Sequence, residues 1–230
     1  MAGAIFCPER YTLPMPLPQT IIVFPEWVAA QDPGHWLTPS EMAAYDAWQS
    51  PKRRAEWLAG RLAAKRLAGD LFGLGPQALT VGREGVAPYL AGAGVPPVML
   101  SLSHSHGLGA ATVSDGRREG SAGIDAQRIR PVHHGLCARV FTVGERSQIA
   151  ARFGAEDDPA GMLLFWALKE AAIKARRAAW GRPLREIEAR LTGEGRAVVE
   201  MTGEPPLSGA FERVEGWWLA RVVRPSALHE

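Results

Sequence analysis

Four short stretches carry the side chains able to do polar chemistry. In GIDAQ, Asp125 and Gln127 stand two residues apart, so on an extended strand both project to the same side. A carboxylate and an amide oxygen are hard ligands of the kind magnesium takes beside phosphate oxygens and water, although an aspartate at a strand end also serves as a turn cap. In FWALKEAAIKA, Glu170 and Lys174 are four apart and so are neighbours on a helix surface. They form either an exposed ion pair, contributing about 0.3–0.5 kcal/mol, or a working pair. In the working pair Glu170 is a second metal ligand or a general base and Lys174 touches a phosphate. In SLSHSH, His104 and His106 share a side if the strand runs through both. A two-histidine zinc or iron site there needs a third ligand, whereas Ser103 and His104 facing a phosphate need none. In SPKRRAEW, Ser50 and Pro51 read as N-cap and first residue of a helix whose opening turn holds Lys52, Arg53 and Arg54. Cations at that end oppose the helix dipole, so the turn is either a solvated surface or the grip for an anion.

The elements that must position these groups follow one plan twice. LTPSEMAAYDAW places Thr38 as N-cap, Pro39 at the first helical position and Glu41 three residues on, the pattern of a capping box; FTVGERSQIAARF repeats it with Thr142 and Glu145. Behind each box runs an apolar-periodic helix with a tryptophan and a lysine eight residues later, Trp57 with Lys65 and Trp166 with Lys174. Arg54, Arg61 and Lys65 continue the positive charge along one side of the first helix, opposite Trp57, Ala64, Leu67 and Leu71. In the second, the apolar stripe is Phe165, Leu168, Ala172, Ala175 and Ala179. Strand-like runs precede each box, QTIIVF and SAGIDA, and others follow each long helix: VMLSLSHS and GAATVS, then RAVVEM, AFERV and WWLARVV. This pattern predicts an α+β fold of two pseudo-symmetric halves, each a long helix packed on a small, mostly antiparallel sheet. The halves are expected at 1–118 and 119–230, meeting in the turn-rich SDGRREGS, with the metal ligands in the second. A ligand site is expected in the cleft between them.

Composition narrows the class of function. A chain of 230 residues, 47% hydrophobic and 22% charged, is an ordinary globular protein able to bury a large core. Its start lacks a basic region ahead of an apolar run, and no stretch approaches the roughly 20 apolar residues that span a bilayer, so a cytoplasmic protein is expected. Cys7 and Cys137 are too isolated to suggest a zinc cluster and are expected to stay reduced. The net charge of +2 is unevenly spread: Lys52 to Arg66 carries six basic residues against Glu56, and a second cluster runs from Lys174 to Arg190. Such patches suit solvated helices, an anionic ligand or an acidic protein partner. A nucleic-acid-binding module is the rival reading, suggested by the arginines and by WGRPLR, but the sequence pI is only 8.7 and no reading motif accompanies the charge.

In their order and spacing, RRAEWLAGR, SLSHS, GIDAQ and FWALKEAAIKA resemble the surfactin-type 4'-phosphopantetheinyl transferases. GREGVAP ahead of SLSHS is most similar to the enterobactin-associated branch. The resemblance implies a monomer with coenzyme A and magnesium in the cleft, transferring the 4'-phosphopantetheine arm of coenzyme A to a serine of an apo acyl or peptidyl carrier protein and releasing adenosine 3',5'-bisphosphate. It implies that Asp125, Gln127 and Glu170 hold the metal and that Lys174 and His104 contact the pyrophosphate. Arg53 or Arg54 and Ser103 would grip the adenosine-bisphosphate end, and Glu170 would help deprotonate the serine. Arg176, Arg177, Arg182 and Arg185 would steer the acidic carrier protein. Nucleic acid and membrane are not expected partners. Two departures stand out: Gln127 occupies a position where many relatives carry an acid, and the Pro88 turn is apolar where the family often has a basic residue. The first leaves open a catalytically inactive coenzyme A-binding or scaffold protein.

Overall fold

The computed structural model describes residues 19–115, 120–133 and 135–226; the expected boundary between 118 and 119, together with Cys7, His134 and His229, lies outside them. In chain order the first half comprises β1 (Gln19–Val23), the short α1 (Pro25–Ala29) and α2 (Pro33–Trp36), α3 (Pro39–Asp46) and the long α4 (Pro51–Phe72). Four strands complete it: β2 (Thr80–Glu84), β3 (Ala87–Ala91), β4 (Met99–Ser105) and β5 (Leu108–Ser114). The second half repeats the order with β6 (Ser121–Arg128), α5 (Leu136–Val140), α6 (Val143–Phe153) and the long α7 (Pro159–Arg176). Its strands are β7 (Ile187–Gly193), β8 (Arg196–Met201), β9 (Leu207–Val214) and β10 (Trp217–Arg224). All pairings are antiparallel. The second half forms one sheet, β6-β10-β9-β8-β7, while the first divides the same order into β1-β5-β4 and a separate β2-β3 hairpin. The α+β fold of two pseudo-symmetric halves predicted from the sequence is the fold observed. Among the described residues no helix is long and apolar enough to cross a membrane.

Both capping boxes form, with Thr38 and Thr142 accepting from the amides of Glu41 and Glu145 and each glutamate accepting in return from its threonine amide. Each glutamate also reaches inward. The second oxygen of Glu41 takes the amide of Val81 at 2.9 Å, and that of Glu145 takes the amide of Ala189 at 2.8 Å, tying the box to the first strand after the long helix. A fully buried lysine completes each arrangement: Lys65 Nζ is 2.5 Å from Glu41, and Lys169 Nζ is 2.7 Å from Glu145. Lys65 also donates to the carbonyls of Trp36, Pro76 and Leu79, and Lys169 to those of Val140 and Leu184. The internal repeat therefore aligns Lys65 with Lys169. This corrects the pairing expected from the tryptophan-lysine spacing, which matched Lys65 to Lys174; an equal interval in sequence does not imply an equal place on the helix. It also removes Lys65 from the charged side shared by Arg54 and Arg61. Leu71, at 39% exposed, and Ala179, beyond the end of α7, leave the expected apolar stripes as well.

Each long helix sits unusually close to its sheet. A Cβ at Gly109 on β5 would overlap the carbonyl of Ala59 in α4, and one at Gly123 on β6 would overlap the carbonyl of Ala171 in α7. The glycine of GIDAQ is thus a packing requirement, setting the strand that carries Asp125 directly against the helix that carries Glu170 and Lys174. Separate apolar cores lie around α4 and α7. A third, containing Ile22, Leu108, Ala110, Ile124, Ala126, Trp217 and Leu219, fills the seam between the halves.

Candidate functional site

The serines of SLSHSH join the halves. On β4 the side chains alternate, so Ser101, Ser103 and Ser105 all turn toward β6 and are buried. Their hydroxyls accept the amides of Ile124, Ala126 and Arg128 at 3.1, 3.0 and 3.1 Å, a ladder in which side-chain oxygens stand where a neighbouring strand's carbonyls would be. Three further bonds cross the same seam, one from the Trp217 indole to the Ser105 carbonyl at 3.2 Å and two from Arg177 to the carbonyls of Leu100 and Pro88 at 2.9 and 3.1 Å.

Within this ladder Ser103 does one thing more: its hydroxyl donates to Asp125 Oδ1 at 2.8 Å. Asp125, 3% exposed, accepts also from Lys174 Nζ at 2.6 Å on the same oxygen and from the Gln127 amide at 2.8 Å on Oδ2. Asp125 and Gln127 share a side of the strand, as their spacing predicted. Lys174 holds the Ile124 carbonyl as well, at 3.0 Å. Glu170, one turn back on α7, lines the cavity between the halves together with Lys174, Ser101 and Leu102. Burial, and then the charge of Asp125, push its carboxyl above the ordinary range, with Lys174 opposing both. Glu170 and Lys174 line a cavity of about 490 Å³, and the mutual repulsion of the Glu170 and Asp125 carboxylates is what a divalent cation would relieve. Among the described residues no cluster of three or more histidine, cysteine, aspartate or glutamate side chains is placed to hold a metal.

His104 lies on the opposite side of β4 from Ser103. It lines a second cavity with Trp48, Arg53, Glu56, Trp57 and Gly60, which shares Arg61, Arg83 and Leu102 with the first. The expectation that Ser103 and His104 grip one phosphate together is corrected by strand geometry, since successive residues face opposite ways. Desolvation in the cleft pushes the His104 imidazole below its ordinary value; Lys174 and Arg61 add to the shift, while Glu56 and Asp125 oppose it. His106 leaves the strand altogether. With φ of 50° and Gly107 at 85°, the pair forms the tight turn between β4 and β5, so the two histidines do not present a common face to a metal.

Arg53 and Arg54 part company in the same way. Arg53 is exposed and lines the His104 cavity, whereas Arg54 donates twice to the carbonyl of Trp48, at 2.8 and 3.2 Å, and stacks on Tyr45. Between the cavities stands Arg61, stacked 3.3 Å above the Trp57 ring. Burial lowers its guanidinium to about 10, still fully charged at neutral pH, and its buried Nε, 4.0 Å from Glu41, has no hydrogen-bond partner among the described residues. Arg61, Arg83 and Arg177 supply the basic lining around Pro88 that the apolar GVAP stretch lacks. No local signal reveals Arg177 in this place, because it reaches the Pro88 turn from the other half of the chain.

Comparison with known proteins places the chain in a family. The family model described as 4'-phosphopantetheinyl transferase superfamily matches residues 121–221, and that described as 4'-phosphopantetheinyl transferase N-terminal domain matches 43–114. The chain is 31% identical to 4'-phosphopantetheinyl transferase Svp of Streptomyces mobaraensis over 197 residues, 84% of this chain and 77% of that protein. The chain belongs to the 4'-phosphopantetheinyl transferase family. Its activity is transfer of the phosphopantetheine arm of coenzyme A to an apo carrier protein. Among solved structures, the transferase is similar to the holo-[acyl-carrier-protein] synthase of Thermotoga maritima, with 20% identity and a TM-score of 0.39 over 46% of this chain and 63% of that one. It is also similar to a holo-(acyl-carrier-protein) synthase of Bacillus anthracis solved with CoA (3',5'-ADP), at 22% identity and TM-score 0.39 over 46% of this chain and 96% of that one.

Proposed function

We propose that the transfer occurs in the seam between the halves, with the diphosphate of coenzyme A between the Asp125–Glu170–Lys174 group and His104. The observation that carries this reading is that Asp125 is held from both sides, by Ser103 of the first half and by Lys174 of the second, which itself lines the cavity between the halves. Asp125 and Glu170, with Gln127 alongside, would hold a magnesium ion, which would supply positive charge to a diphosphate otherwise repelled by two carboxylates. Lys174 and His104 contact diphosphate oxygens, and Arg53 meets the adenosine-bisphosphate end. Arg54 acts through the Trp48 carbonyl, and Ser103 as the residue that positions Asp125.

In the reaction the carrier-protein serine oxygen attacks the phosphorus bearing the pantetheine arm, and the bond to the bridging oxygen breaks, releasing adenosine 3',5'-bisphosphate. Glu170 accepts the serine proton, a role for which a raised carboxyl is suited. Lys174 stabilises charge that develops on the transferred and leaving oxygens. The halves at 1–118 and 119–230 act as one monomeric unit, since each contributes side chains to the site; the separate family matches on either side of residues 115–120 support that division. We place the enzyme in the cytoplasm and, on GREGVAP preceding SLSHS, nearest the enterobactin-associated branch of the surfactin type.

The test is intact-mass spectrometry of a panel of apo carrier proteins incubated with the enzyme, coenzyme A and magnesium. One added phosphopantetheine on any member, abolished by D125A, supports the reading; undiminished transfer by D125A refutes the site.

A further inference from the structure

The arginines expected to steer a partner protein are largely spoken for. Arg176 pairs with Glu204, Arg182 with Glu186, and Arg177 points inward to two carbonyls. Three further cations lie at the other end of the seam. Lys52 in the first turn of α4 and Arg128 and Arg130 at the end of β6 are all exposed, and none has an ion-pair partner among the described residues. The hydrogen bond from the Arg128 amide to Ser105 Oγ stitches the β4–β5 turn to β6, so exposed His106 stands beside them. Pro51, next to Lys52, and Gly107, next to His106, line one pocket, so the first turn of α4 comes to the same turn from the other side and the three cations gather there from both halves; in keeping with this, the His106 imidazole is disfavoured as a cation, first by desolvation and then by Arg130, Lys52 and Arg128, with Glu56 the opposing acid. Arg128 is held over the Trp217 ring at 5.1 Å, which orients its guanidinium. None of the three lines the seam cavities, so this is an open surface rather than a pocket for a small anion. It begins one residue after Gln127, adjacent to the group that holds Asp125.

We propose that Lys52, Arg128 and Arg130 form the docking surface for the apo carrier protein, engaging a carboxylate-rich face next to its acceptor serine. This rests on the transfer reaction described above. A surface drawn from both halves engages its partner only when the seam that forms the site is closed, which couples docking to an assembled active centre.

The experiment compares wild type with R128E/R130E and with K52E. With the carrier protein varied at saturating coenzyme A, R128E/R130E is expected to lower kcat/KM by about tenfold or more, with KM for coenzyme A within about twofold of wild type. The wild-type value should fall with added salt, and the double variant should show a flatter response. Calorimetric titration with a carrier protein whose acceptor serine is replaced by alanine reads docking without turnover, so weaker binding by the variants upholds the proposal even if the transfer site is misassigned. Unchanged carrier affinity refutes it. A change confined to the coenzyme A KM also refutes it, and assigns the patch to the nucleotide.

Discussion

Lys169→Met tests whether the buried glutamate-lysine pairs hold the two halves in shape. Lys169 and Glu145 are both fully buried, and removal of the ammonium group leaves a carboxylate with only the amides of Thr142 and Ala189 for company. It also strips the carbonyls of Val140 and Leu184 of their donor. Breaking one side of such a pair costs about 3–5 kcal/mol, because the surviving charge stays desolvated. For a chain of this size each kcal/mol moves Tm by about 2–4 °C, so the expected drop is about 6–20 °C. Lys65→Met should cost as much or more, since Lys65 serves three carbonyls beside Glu41. Urea denaturation followed by circular dichroism measures both, read as a shift in midpoint at constant slope. The double variant E145Q/K169M should be less damaged than the sum of the singles, by about 1–3 kcal/mol, because the orphaned charge is gone. A K169M protein within about 1 kcal/mol of wild type, or strict additivity in the double, would refute the reasoning and reduce the pairs to incidental contacts.

Three further outcomes follow from the site and its surroundings. Ser103→Ala leaves the Ala126 amide without its acceptor and Asp125 without one of its three donors, so a loss of about 1–3 kcal/mol in stability is expected, with a weakened magnesium dependence of kcat; Ser103→Thr should restore both. Glu170→Gln should lower kcat by about 10²-fold or more while coenzyme A binding, measured by calorimetry, persists. Burial opposes ionisation of Glu204, but Arg176 and Arg224 outweigh it and hold the carboxyl below its ordinary value. Its contribution to stability is therefore present above that ordinary value and is lost as pH falls through the depressed one. Melting curves of wild type and E204Q should differ at neutral pH and converge in acid, and a constant gap down to the lowest pH would contradict the assignment.

Local spacing made much of the molecule legible. The two capping boxes, the long helices behind them and the strand runs around them each depend on residues within a turn or two of one another, and all are present. The shared side of Asp125 and Gln127 follows from the two-residue period of a strand, and the four-residue interval puts Glu170 and Lys174 on adjacent turns of α7. Where the reading relied on intervals alone it misplaced residues. Lys65 and Lys174 have the same distance from a tryptophan, yet one is sealed against Glu41 and the other faces Asp125. What separates them is what each lysine meets beside its helix, the α3 capping box and nearby carbonyls for Lys65 and strand β6 for Lys174, in both cases a contact between distant parts of the chain.

The alternating hydroxyls and imidazoles of SLSHSH show the same division. The sequence by itself determines that the serines share one side of a strand and His104 the other, because backbone pleating admits no alternative. Only the tertiary structure decides that the serine side meets the amides of β6, that Ser103 thereby reaches Asp125, and that Arg177 crosses the seam to the Pro88 turn. Those contacts join residues from opposite halves of the chain, and burial makes their hydrogen bonds obligatory once the halves close: a buried amide or carboxylate without a partner costs more than the order needed to supply one.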